Sequence, residues 1–89
     1  MKRFILNGAG IADRGELHST IAAGLEFPVW YGNNLDALHD CLTDIFEPTE
    51  IVIENCEELI ESLGGYASIF IRVLQQCAEE NENIIISVE

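Results

Sequence analysis

Trp30-Tyr31-Gly32-Asn33-Asn34-Leu35-Asp36-Ala37-Leu38-His39-Asp40-Cys41-Leu42-Thr43-Asp44 begins as a turn and continues as a helix. Asn34 is a strong N-cap, because its side-chain oxygen can accept a hydrogen bond from an early helical N–H. Leu35, Leu38, Leu42 and Ile45 then recur at helical spacing and define a buried side. Asp36, Asp40 and Asp44 fall at i, i+4 and i+8 on the roughly opposite face, where each like-charge pair costs roughly 0.2–0.5 kcal/mol. No Lys or Arg stands near them in the sequence. Repulsion kept on a surface beside the aromatic pair Trp30-Tyr31 points to a patch built to meet something strongly positive.

Outward from this stretch, three short apolar runs read as strands: Phe4 to Leu6, Ile51 to Ile53 and Ile84 to Val88. They are continuous rather than alternating, which suits strands covered on both faces in a parallel sheet. Asp13 with Glu16 forms a capping-box pattern, and Leu17, Ile21 and Leu25 make a helical stripe that stops before Pro28. Asn55 and Glu58 would cap a short helix carrying Leu59, Ile60 and Leu63, which ends at Gly64-Gly65. Ile69, Phe70, Val73, Leu74 and Cys77 define a longer amphipathic helix reaching Glu80, and residues 81–83 turn into the final strand. The order is β-α-α-β-α-α-β. It implies an α/β fold with a three-stranded parallel sheet packed by helices, in one domain over residues 1–89 without repeat, linker or low-complexity segment.

The 89 residues are 48% hydrophobic, enough for one core and too few for two. Sixteen Asp and Glu oppose four Lys and Arg, giving a formal net charge of −12. Residues 36–82 hold twelve carboxylates and a single cation, Arg72. Phosphate would be repelled, which argues against direct binding of nucleic acid or an anionic membrane. A basic protein is the natural complement, reached quickly and with strong salt dependence. The plainer reading of the acidity is a solubilising surface, and of the three aspartates the solvated side of an amphipathic helix.

Cys41, Cys56 and Cys77 show neither a C-x-x-C pair nor metal-ligand spacing and read as buried free thiols. Met1-Lys2-Arg3 is basic, but Phe4-Ile5-Leu6 is too short for a signal-peptide core, and no apolar run approaches a membrane span. A reducing cytoplasm is the expected location. Catalysis lacks a constellation: His39 and Cys41, two apart on a helix, point away from each other. One helical face of aspartates would not surround a Ca²⁺ or Mg²⁺ ion, and no cofactor or metal is expected.

Tyr31 to Thr43, Y-G-N-N-L-D-A-L-H-D-C-L-T, carries a resemblance to the barstar family, intracellular inhibitors of barnase-type ribonucleases. Pro28, Asn7-Gly8 and Asp13 to His18 agree more loosely, and length and element order match over the whole chain. The resemblance implies a protein inhibitor that binds a basic extracellular-type ribonuclease 1:1 and blocks its active site with the second helix and the loop before it. The aspartate matching Asp40 would take the place of an RNA phosphate. It further implies Trp30, Asn34, Asp36, His39, Thr43, Asp44, Gln76 and Glu80 as partner-binding residues, with Tyr31 structural.

The chain departs from the family pattern at His39 and Ile45, which replace tryptophans, and at Gln76, which replaces a glutamate. Such changes shift specificity, itself a difference of affinities. An immunity or regulatory protein for a different basic toxin or cytoplasmic partner is the alternative, since a fold can be reused. His39 reads first as an ordinary polar residue; inside an interface it would make inhibition pH-sensitive, and equal affinity at all pH values for wild type and His39→Ala would exclude that.

Overall fold

The computed structural model describes residues 1–89. Strand β1 (Lys2–Asn7) leads through a 3-10 turn at Gly8–Gly10 into helix α1 (Arg14–Leu25) and then α2 (Leu35–Thr43). Strand β2 (Thr49–Glu54) follows, then α3 (Cys56–Leu63), α4 (Gly65–Glu80) and β3 (Ile84–Val88). The order is the expected one with the 3-10 turn added. All pairing is parallel with β2 in the centre, in a register that sets Phe4 beside Ile51 and Ile51 beside Ile86.

The helices begin where local chemistry directs. Asp13 accepts from the Glu16 N–H at 2.8 Å, while the Glu16 carboxylate accepts from the Ala12 N–H, one residue outside the usual capping box. Asn34 caps α2 by accepting from the Ala37 N–H at 2.8 Å. Asn55 departs from expectation. It stands at the N-cap of α3 in a left-handed conformation, and its side chain donates instead to Asn7 Oδ1 at 2.7 Å. The left-handed backbone aims the amide across to the neighbouring strand end, so the turns after β1 and β2 are stitched together. Gly8 belongs to the same close approach: a Cβ there would lie 2.6 Å from the Asn55 carbonyl oxygen.

One core lies between the helices and one face of the sheet. Leu17, Ile21 and Leu25 of α1, Leu6, Ile51, Ile53 and Ile84 of the strands, and Phe70 and Leu74 of α4 belong to one buried cluster. Three sequence expectations change. Only β2 is covered on both sides; on the outer face Val52 is buried, but Ile5 and Ile85 on the edge strands are exposed. The buried stripe of α4 is Ala67, Phe70, Leu74 and Cys77, leaving Ile69 exposed, and Ile60 of α3 also faces water. Edge strands and two-helix layers simply present more surface than continuous apolar runs suggest. Cys41 and Cys77 are buried free thiols, as expected, whereas Cys56 is only half-buried because it begins α3 at the end of the sheet.

Candidate functional site

Helix α2 splits its residues as the spacing requires. Leu38, Cys41 and Leu42 are buried, with Leu35 and Ile45 half-buried beside them, and Asp36, Asp40 and Asp44 are exposed. Asp36 and Asp44 form no ion pair, and the partner nearest Asp40 is the His39 ring at 3.9 Å. Asp36 sits in the first turn, where the helix dipole favours an anion; Asp44 is the C-cap, where it does not. The helix therefore presents three uncompensated carboxylates along one line.

Both ends of α2 are fixed by bonds to distant residues. The Asn81 amide donates to the Leu42 carbonyl at 3.0 Å, in the last turn of the helix, and to the Ile45 carbonyl at 2.9 Å, just beyond its C-cap. The Thr43 hydroxyl donates within the last turn, to the His39 or Asp40 carbonyl. Ahead of the helix, the Tyr31 hydroxyl bonds His18 Nδ1 at 2.7 Å, and the Tyr31 ring packs on Phe27 with centroids 4.9 Å apart. His18 Nε2 bonds the Tyr66 hydroxyl at 2.6 Å, joining α1, the approach to α2 and α4. Arg14 stacks over Tyr66, 4.2 Å from the ring centroid.

His18 is only 1% exposed, and burial pushes its pKa below the usual 6.5, so the neutral ring donates from one nitrogen and accepts at the other. Tyr31 is accordingly structural, as expected, and its hydroxyl is pushed well above its ordinary pKa, chiefly by burial. Neither His18 nor Asn81 stood out in the sequence as a support of α2. The weak signal available was a histidine on the apolar side of α1, one position after Leu17.

The structure brings several sequence-predicted residues together. His39 Nε2 lies 2.7 Å from Glu80 Oε1, tying the outer side of α2 to the end of α4. Gln76 is exposed one turn before Glu80 and makes no side-chain hydrogen bond. Trp30 is 73% exposed and lines a cleft with Asp44 that neither His39 nor Glu80 borders. Asn34 spends its side chain on the cap and a bond to the Gly32 carbonyl.

What this surface offers is recognition of positive charge. No three His, Cys, Asp or Glu side chains converge to hold a metal ion. The Cys41 thiol is buried, and its pKa is raised by that burial and then by Asp44 and Asp40, which keeps it protonated and a poor nucleophile. No helix is long and apolar enough to cross a membrane.

Comparison with known proteins identifies the family. The family model described as Barstar (barnase inhibitor) matches residues 1–89. A protein of Bacillus subtilis (strain 168) named "Putative ribonuclease inhibitor YrdF" is 38% identical over 81 residues, which cover 90% of this chain and 89% of its own. With the motif at Tyr31 to Thr43, the β-α-α-β-α-α-β order and a match along the full 89 residues, this chain belongs to the barstar family, whose members are ribonuclease inhibitors.

Proposed function

We propose that this protein binds a basic, barnase-like ribonuclease of the extracellular type 1:1 in the cytoplasm and blocks its active site with the outer face of α2. Asp40 takes the place of a substrate phosphate, and Asp36 and Asp44 extend the negative surface on either side. The carrying observation is that three exposed carboxylates stand in line without a single Lys or Arg partner from their own chain. A ribonuclease must hold phosphates with cationic donors. A carboxylate entering that site therefore meets charge-assisted hydrogen bonds already arranged.

Around this line, Trp30 supplies a rigid aromatic surface, Asn34 and Thr43 hold the helix ends, and His39, Gln76 and Glu80 form the border toward α4. His39, Ile45 and Gln76 set which ribonuclease fits best. The alternative, a different basic toxin or cytoplasmic partner, would use the same charge without requiring Asp40 in particular.

The test is cleavage of a fluorogenic RNA substrate by a barnase-like ribonuclease, titrated with wild type and Asp40→Ala at low and high salt. Stoichiometric inhibition by wild type, weakened by Asp40→Ala and by salt, is the expected result. No inhibition at micromolar excess, or equal inhibition by Asp40→Ala, would sink the proposal.

A further inference from the structure

Beside the aspartate line lies a cleft of about 300 Å³ between residues 25–30 and the end of α2 with its following loop. Its walls include Phe27, Trp30, Ile45 and Phe46, and the carboxylates of Glu26, Asp44 and Glu47 also line it. Phe46 is 90% exposed and Trp30 is 73% exposed, and Val29, next to Trp30 in the chain, projects fully into water. Large side chains left uncovered in one place mark a contact surface. The nearest cation is Lys2, which pairs with Glu26 at 3.4 Å; Asp44 and Glu47 have no ion-pair partner.

We infer that this cleft receives an arginine side chain of the ribonuclease, presented beside its active site, and acts as a specificity pocket separate from Asp40. The inference rests on the proposed function for the identity of the partner. Charge complementarity chooses the occupant. A purely apolar side chain would strip water from Asp44 and Glu47 without pairing them, and an acidic or phosphorylated one would be repelled. A second copy of this chain would bring another net charge of −12 to the same place. Arginine fits both halves of the cleft: its methylenes lie along Phe46 and Ile45, and its weakly hydrated guanidinium stacks on an aromatic face while donating to carboxylates. Asp44 borders both the cleft and the α2 line, so a partner seated on Asp40 has its flank over this opening.

Trp30 is the only tryptophan, so its fluorescence reports on the cleft directly. The experiment titrates the protein with N-acetyl-arginine amide, its citrulline analogue and its norleucine analogue, using wild type, Phe46→Ala and Glu47→Gln. Phe46 and Glu47 are exposed, and urea midpoints check that the variants stay folded. Saturable millimolar binding of the arginine amide is expected, about fivefold tighter than citrulline and about fivefold weaker in either variant, the size of one cation–π or ion-pair contact. In the ribonuclease assay, Phe46→Ala should dissociate about fivefold faster while inhibition still depends on Asp40.

Equal binding of arginine and citrulline, or variants that inhibit like wild type, overturns the pocket and leaves the proposed function standing. Equal inhibition by Asp40→Ala and wild type overturns the proposed function whatever the cleft binds. Concentration-dependent self-association abolished by Phe46→Ala assigns the cleft to a second copy and also overturns the pocket.

Discussion

Along α2 the inward side chains Leu38, Cys41 and Leu42 are buried in the common core, while Asp36, Asp40 and Asp44 on the outward side touch almost nothing of their own chain. The inner side is explained completely by the fold. The outer side is not: its spacing is mildly unfavourable, and one carboxylate sits at the wrong end of the helix dipole. The difference separates residues that the fold requires from residues that the fold leaves free, and it makes the two sides independently testable.

The largest effect expected is on affinity. Asp40→Ala should weaken ribonuclease binding by about 2–5 kcal/mol, the range for truncating one member of a buried charge pair, with no loss of folding stability. The barnase–barstar complex is itself one of the systems in which losses of this kind are measured. Competition binding together with urea unfolding checks the expected loss, and a destabilised Asp40→Ala would break the comparison.

Leu38→Ala reverses the pattern, costing about 2–5 kcal/mol of stability through lost burial and a residual cavity. Its affinity, measured where the variant is still folded, should match wild type. A parallel loss of affinity would mean that the two sides of the helix cannot be separated.

Acid should act on the inner framework through His18. Because burial lowers its folded-state pKa below 6.5, the unfolded chain takes up the proton first. Its stabilising contribution is therefore complete above pH 6.5 and declines as the pH falls below that value toward the folded-state pKa. Urea midpoints at pH 7.5 and 5.5 should fall more for wild type than for His18→Gln, and parallel curves would remove His18 from the account.

The smallest effect is the most discriminating. Asp44→Asn should raise stability by roughly 0.3–1 kcal/mol, relieving both the repulsion from Asp40 and the clash with the dipole. Asp36→Asn should gain little, since its place in the first turn is favourable. Thermal unfolding at low salt separates the two, and equal shifts would show that repulsion alone sets the outer face.

Much of this architecture was legible from local signals. The caps Asp13 and Asn34, the stripe Leu17-Ile21-Leu25 and the three apolar runs each state their structure within a few residues. The aspartate line was equally readable, because i, i+4 spacing is itself a local fact. The supports of the site were hidden for the opposite reason. His18 with Tyr66, Asn81 with Leu42 and Asn55 with Asn7 are single polar contacts between residues 39 to 48 positions apart, and one such contact leaves no periodic trace. Asn55 shows how this misleads: the residue type suited a cap, but the backbone conformation gave its amide to another strand.

Asn81 also sets a schedule for synthesis. The residue that finishes α2 is made 39 positions after Leu42, and the turn it occupies delivers β3 to the sheet. A ribosome builds the acidic helix before either its clamp or the final strand exists. The aspartate-bearing helix therefore reaches its final form only after residue 81 has been made. A fragment ending before Asn81 would carry all three aspartates on a helix whose C-terminal end lacks its clamp.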